Sequence, residues 1–61
     1  MLKTWMEERG LTPKELARTL GVSRQAVQLW IQGNSFPSTR RLAQLEELSE
    51  GRITARSFIH G

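Results

Sequence analysis

Apolar residues recur along this chain at intervals of three and four positions, which is the spacing of one face of an α-helix and not of a strand. Glycines separate the apolar groups at places suited to helix ends and turns: Gly10, Gly21, Gly33 and Gly51. The pattern therefore predicts one all-α domain over residues 1–61, built from five short helices.

Hydroxyl residues mark where four of the predicted helices begin: Thr12, Ser23, Ser38 and Thr54. The first of these forms a capping-box pattern with Glu15, and Pro13 suits the first helical position. The second opens a helix over residues 24–32, and the third opens a helix that runs to Gly51. The last leaves room for only one or two helical turns.

Each predicted helix has an inner apolar face. In chain order these faces consist of Leu2, Trp5 and Met6, of Leu16, Ala17 and Leu20, of Val27, Trp30 and Ile31, of Leu42, Leu45 and Leu48, and of Phe58 and Ile59. Trp30 shares its face with Val27, so we expect it in the core and not stacked on a nucleic-acid base. Trp5 is expected in the core because it lies on the apolar face of its own helix, with a partner surface as the alternative.

The second and third helices are joined by a very short connection. Only Gly21 and Val22 lie between Leu20, the last apolar residue of one helix, and the cap of the next. Helices joined this tightly must cross at a steep angle, which needs a small residue where they touch and a turn that tolerates positive φ. Ala17 and Gly21 meet these two needs, so the segment predicts a helix-turn-helix unit.

Residues in and around this unit carry a family resemblance: Leu16-Ala17, Leu20-Gly21-Val22-Ser23, Val27 and Trp30-Ile31. They resemble the core of the Cro/cI-type phage repressors, also called the xenobiotic-response-element family, over roughly residues 2–50. The resemblance implies a five-helix, lambda repressor-like DNA-binding domain whose third helix enters the major groove. Pro13 stands where the family often has a phosphate-binding glutamine. Met6 stands where a charged residue is usual, which predicts an exposed apolar spot.

The face of the third helix opposite Val27 is mostly polar and offers groups that can read bases. Arginine can pair with guanine, glutamine can pair with adenine, and leucine can contact the methyl group of thymine. Recognition helices present their N-terminal residues to the groove. The predicted base contacts are Arg24, Gln25, Gln28, Leu29 and Gln32. The alternative is that the glutamines are solvated helix formers.

Residues flanking that helix are candidates for phosphate contacts: Ser23, Asn34, Ser35, Arg40, Arg41 and Lys14. The backbone amides at the helix starts after Thr12 and Ser38 form a further candidate anion site. Two arginines in the first turn of the fourth helix oppose its dipole, which indicates a role other than stabilising that helix. Ordinary surface charge is the alternative.

Charge is distributed unevenly along the chain, whose formal net charge is +3. Residues 14–41 carry five basic side chains against Glu15 alone, whereas residues 42–50 carry only the acids Glu46, Glu47 and Glu50. A basic middle beside an acidic flank suits a protein that binds a polyanion on one side.

The composition gives little support to an enzyme or a metalloprotein. There is no cysteine, and the lone histidine, His60, lies next to the last residue. No second cluster joins the acids into a metal or acid–base site. We expect a cytoplasmic protein with no cofactor, metal, membrane contact or small-molecule ligand.

The main rival to DNA binding is a protein-interaction module, antitoxin-like or adaptor, with the same fold. Such a surface should carry apolar anchors, whereas the outer face of the third helix is mostly glutamine and arginine. A double-stranded operator read with specificity normally needs two copies of so small a domain, so we predict a homodimer, at least on DNA. Phe58 and Ile59 are the predicted dimer contacts, with closure of the core as their alternative.

Overall fold

The computed structural model describes residues 2–58, which form four α-helices and one short 3₁₀ turn. In chain order these elements are α1 (Leu2–Arg9), α2 (Pro13–Leu20), α3 (Arg24–Gln32), α4 (Thr39–Leu48) and the 3₁₀ turn Ala55–Phe58. Residues 2–58 contain no strand, which agrees with the all-α prediction. None of the helices among them is long and apolar enough to cross a membrane.

The predicted fifth helix is a single 3₁₀ turn, so the five-helix count is not confirmed. The N–H of Ser57 donates to the carbonyl of Thr54 three residues earlier (2.9 Å), which is the 3₁₀ pattern. The Ser57 hydroxyl in turn accepts from the N–H of Thr54 (3.1 Å). These two bonds close one turn between the same two residues.

Side-chain caps set the starts of α2, α3 and α4 at the predicted residues. The hydroxyl oxygens of the three capping residues accept from the amide three positions later, at 3.2 Å for Thr12, 3.1 Å for Ser23 and 3.3 Å for Ser38. The carboxylate of Glu15 completes the capping box by accepting from the N–H of Thr12 at 3.1 Å. Each bond satisfies a backbone donor that the helix itself leaves without a partner.

The fourth helix ends at Leu48, before the predicted end at Gly51. Ser49 is fully buried; its hydroxyl accepts from the N–H of Ile53 (2.8 Å) and donates to the carbonyl of Glu46 (3.3 Å). Glu50 then adopts a left-handed conformation with a φ of 56°, which takes the chain out of the helix one residue before the glycine.

The core draws apolar side chains from every element: Leu2, Trp5, Met6, Leu16, Ala17, Leu20, Val27, Trp30, Leu45, Ile53 and Phe58. Trp5 and Trp30 are 2% and 6% exposed, so both lie in the core as predicted. The expected exposed spot at Met6 is wrong, because Met6 continues the inner face of Trp5 and is also buried.

Leu48 is 38% exposed, which corrects its predicted place on the inner face of α4. Positions 48 and 49 both neighbour Leu45 on the helix surface, three and four residues later, and the structure buries residue 49. Ser49 therefore takes the buried place, and Ile53 supplies the apolar side chain that closes this end of the core. Leu48 is left at the edge of the face.

The connection between α2 and α3 has the predicted geometry. Gly21 is in the left-handed region, with a φ of 76° and a ψ of 32°. The carbonyl of Ala17, a buried residue, accepts from the N–H groups of both Gly21 (2.8 Å) and Val22 (3.0 Å). These bonds end α2 and turn the chain directly into the cap of α3.

Candidate nucleic-acid interface

Helix α3 has one buried face and one exposed face. Val27 is fully buried and Trp30 nearly so, which fixes the rotation of the helix about its axis. The five predicted base-contact residues are all exposed: Arg24, Gln25, Gln28, Leu29 and Gln32. Four of them follow the spacing of a single helix face, and Arg24 lies at its N-terminal end. The structure thus brings the predicted residues together on one exposed surface.

Both ends of α3 are closed by hydrogen bonds, so its exposed face is presented by a well-defined element. Ser23 caps the N-terminal end, and Gly33, with a φ of 81°, ends the helix. The N–H of Gly33 donates to the carbonyl of Trp30 (3.2 Å), and the N–H of Asn34 donates to that of Leu29 (3.0 Å). A helix held at both ends keeps its side chains at a fixed spacing.

The exposed face of α3 is chemically suited to contact a polyanion. The helix contains no acidic residue, and its first residue is an arginine. The side-chain amide of Asn34 donates to the side-chain oxygen of Gln32 (3.2 Å), which occupies the Gln32 acceptor and not its N–H donors. Arginine and glutamine on this face can donate to base edges or to phosphates.

Arg41 makes a structural contact that its place in the sequence does not predict. Its Nη1 donates to the carbonyl of Leu20 at the end of α2 (2.6 Å) and to the side-chain oxygen of Gln44 (2.9 Å). The positive charge therefore lies at the C-terminal end of α2, where a helix dipole favours a cation. The unfavourable place of an arginine in the first turn of α4 was the only sequence signal, and it did not name the partner.

Arg40, the residue before Arg41, is exposed. Unlike Arg41, it makes no hydrogen bond to α2. The first turns of α3 and α4 contain no acidic residue, so no carboxylate there opposes an anion. One amide at each start, that of Ala26 and that of Arg41, already donates to the capping hydroxyl.

The start of α2 is less suited to a phosphate than its sequence predicts. The Glu15 carboxylate accepts from the N–H and the hydroxyl of Thr12 there (3.1 Å and 3.0 Å), which places a negative charge at that helix start. Lys14 is exposed beside it. A phosphate approaching Lys14 would meet the carboxylate as well as the ammonium group.

The three remaining predicted phosphate contacts lie just before and just after α3. Ser23 and Asn34 are exposed, and Ser35 is half-buried. The Ser23 oxygen accepts the capping bond, which leaves its hydroxyl hydrogen to donate elsewhere. These residues thus flank the exposed face of α3 at its two ends.

Acidic side chains gather away from α3. Glu47 and Glu50 line, with Leu20 and Leu48, a groove of about 410 Å³ that includes no residue of α3. On another part of the surface, Glu8 of α1 pairs with Arg52. That hydrogen bond and the charge of Arg52 lower the pKa of the Glu8 carboxyl.

A comparison with protein families agrees with this arrangement. The helix-turn-helix family model of the Cro/cI type matches residues 2–48, which include all four α-helices. The chain belongs to the Cro/cI-type helix-turn-helix family. The family is one of DNA-binding transcription regulators that are generally not enzymes, and membership implies binding to double-stranded DNA. No curated protein and no solved structure matches the chain.

Proposed function

We propose that this protein is a sequence-specific transcriptional repressor that inserts α3 into the major groove of double-stranded DNA. The observation that carries the proposal is the two-faced character of α3. Val27 and Trp30 hold one face in the core, and the other presents arginine and glutamine with no acidic residue on the helix. We propose repression and not activation because the chain resembles the Cro/cI repressors.

The proposal divides the predicted contact residues into two roles. Arg24, Gln25, Gln28, Leu29 and Gln32 contact base edges, and Ser23, Asn34, Ser35, Arg40, Arg41 and Lys14 contact phosphates. Base contacts distinguish one sequence from another, whereas phosphate contacts orient the protein and supply affinity that depends on salt. Arg41 keeps guanidinium donors beyond the Nη1 that binds Leu20, so its two roles are compatible.

Further parts of the proposal concern assembly and location. The protein acts as a single domain, works in the cytoplasm on chromosomal or phage DNA, and occupies its operator as a homodimer. Phe58 belongs to the core and is only 5% exposed, so it offers little surface for the predicted dimer contact, and Ile59 lies outside the described residues. The dimer contact must therefore include residues other than Phe58.

Selection of binding sites from a random pool of duplexes tests the proposed function. We expect a short preferred sequence that occurs twice with inverted symmetry, and binding to it that weakens steeply as salt rises. Absence of any preferred sequence, together with a shallow salt dependence, would refute sequence-specific DNA binding.

The alternative function is that of a protein-interaction module, and exposed apolar residues support it. Phe36 is 62% exposed, and Leu29 and Leu48 are each more than a third exposed. An α3 face built for a protein partner would need apolar anchors, but four of its five predicted contact residues are polar or charged. The DNA-binding function therefore accounts better for α3.

A further inference from the structure

The groove between α2 and α4 lies on a part of the surface that contains no residue of α3. We call it the α2–α4 groove; it measures about 410 Å³ and is lined by Thr19, Leu20, Gln44, Glu47, Leu48 and Glu50. All of these residues except Leu20 are exposed. The groove is therefore an open surface feature, unlike the enclosed pockets that bury most of a small ligand.

The two acids of the α2–α4 groove lie at the C-terminal end of α4. Glu47 belongs to the last turn of this helix, and Glu50 follows two residues after its end. A helix dipole places partial negative charge at the C-terminal end, where a cation is favourable and an acid is not. The last turn of α4 contains no basic residue, and neither acid takes part in an ion pair within residues 2–58. A positive group from another molecule would therefore be stabilised here.

Apolar surface adjoins these acids at Leu48, which is 38% exposed. Leu48 lines the α2–α4 groove and also a second depression of about 200 Å³, to which Trp5, Leu11 and Arg9 contribute. The guanidinium of Arg9 stands over the ring of Trp5, 6.0 Å from its centre, so this side of Leu48 carries positive charge. A bound basic group is thus directed to the acids, and an apolar group next to it can cover Leu48.

Charge and apolar surface together restrict what can bind. Nucleic acids and acidic lipid surfaces are anionic, so Glu47 and Glu50 repel them. Two copies of this chain that met symmetrically through the α2–α4 groove would bring the same acids together. A metal ion finds no group of three ligating side chains in the part of the chain that the structure describes, and it would leave Leu48 uncovered.

We infer that the α2–α4 groove binds a segment of another protein in which lysine or arginine stands next to a large apolar side chain. The basic side chain pairs with Glu47 and Glu50, and the apolar side chain covers Leu48. The inference is independent of the proposed DNA-binding function, because no lining residue belongs to α3 and the partner has the opposite charge to DNA. A partner held in the groove leaves the exposed face of α3 free.

Selection from a library of short random peptides tests the inference without DNA. The parent protein is immobilised, and the peptides that it retains are sequenced. We expect enrichment of peptides with lysine or arginine within a few residues of leucine, phenylalanine or tryptophan, and binding that weakens as salt rises. No enrichment over a blank surface, or enrichment of acidic peptides, would overturn the inference.

Variants of the parent locate the binding site of a selected peptide, made synthetically and titrated in solution. Glu47→Lys should weaken its binding by about 3- to 30-fold, because an attraction between exposed charges becomes a repulsion. Glu46→Lys is the matched control: it makes the same charge change at a neighbouring exposed residue that lines neither depression, and affinity should stay within about twofold of the parent.

A second pair of variants tests the apolar contact. Leu48→Ser should weaken binding of the selected peptide by about 3- to 7-fold, the value of covering the exposed third of a leucine. Leu29→Ser changes a leucine of matching exposure on α3, 37% against 38%, and should keep the parent affinity. Equal losses within either pair of variants would place the peptide outside the α2–α4 groove.

A charge exchange separates loss of the ion pair from damage to the fold. The selected peptide with its basic residues replaced by glutamate should bind Glu47→Lys more tightly than it binds the parent. An exchanged peptide that still prefers the parent would overturn the inference. Sedimentation equilibrium of the parent alone tests a second copy as the occupant: self-association that Leu48→Ser removes and Leu29→Ser keeps would assign the groove to that copy and contradict the inference.

Discussion

Replacing Arg41 by alanine should destabilise the protein through a contact that has nothing to do with DNA. The guanidinium Nη1 donates to the carbonyl of Leu20, an otherwise unpaired acceptor at the end of α2. A hydrogen bond that involves a charged group is worth about 1.5–3 kcal/mol. Arg41 is half-buried, so solvent reduces this value. The bond to Gln44 is exposed and adds little.

The two helix dipoles that act on Arg41 nearly cancel. An arginine in the first turn of α4 costs about 0.3–1 kcal/mol, and the same charge at the end of α2 is favourable by a similar amount. The hydrogen bond to Leu20 therefore decides the outcome. We expect Arg41→Ala to lower the free energy of unfolding by about 1–2 kcal/mol, which is roughly 4–16 °C in melting temperature for a domain of this size.

Arg40→Ala is the matched control, because it removes the same charge from the neighbouring position. Arg40 is exposed and lacks the contact to Leu20, so its loss should change the free energy of unfolding by less than about 0.5 kcal/mol. Urea denaturation without DNA, followed by circular dichroism, measures both variants. Equal stabilities of the two variants would refute the assignment of Arg41 as a link between α4 and α2.

Three further predictions concern the core, the end of α4 and the surface ion pair. Trp30→Ala should lower the free energy of unfolding by about 3–5 kcal/mol, so that the cooperative thermal transition disappears or moves to a much lower temperature. A stable variant that binds no DNA would instead make Trp30 a DNA-contact residue. Glu50→Gly should raise the free energy of unfolding by about 0.5–1 kcal/mol, because glycine adopts the left-handed backbone without strain. Glu46→Gly inside α4 should lower the free energy of unfolding by a similar amount. Denaturation midpoints of the two variants that move in the same direction would contradict this prediction. The hydrogen bond from Arg52 lowers the pKa of the Glu8 carboxyl in the folded protein. The pair therefore stabilises the fold above the ordinary glutamate pKa, and this effect is lost as pH falls through the lowered pKa. The difference in stability between the parent and Glu8→Gln should shrink from pH 7 to pH 3.

The starts of the helices could be predicted from the sequence because their signals are local. A capping residue acts on an amide three positions away, so Ser23 and Ser38 marked the starts of α3 and α4 correctly. The turn at Gly21 was predictable for the same reason, since the short connection itself demands a positive φ. The inner face of α3 followed from the spacing of its apolar residues.

The features that were missed depend on contacts between distant parts of the chain. The bond from Arg41 to Leu20 spans 21 residues, and no local pattern names its acceptor. The end of α4 depends on the burial of Ser49, a polar residue that the apolar pattern passed over. Phe58 suits a core or an interface equally well by composition, and only packing decides between them. The same ambiguity hid Phe36, whose exposure depends on the path of the loop.

The central claim is that the outer face of α3 reads bases while residues beyond it anchor phosphates, and one titration tests it directly. Gln28→Ala and Arg40→Ala are compared with the parent on the selected site and on scrambled duplexes at several salt concentrations. Both residues are exposed, so both variants should stay folded.

Gln28→Ala should weaken binding to the selected site by about 1–3 kcal/mol, relax the preference at one base pair, and leave binding to scrambled duplexes nearly unchanged. Arg40→Ala should weaken binding to all duplexes by similar factors and reduce the slope of affinity against salt by about one unit. A Gln28→Ala variant that keeps every base preference, or an Arg40→Ala variant with an unaltered salt slope, would contradict the proposed docking of α3 in the major groove.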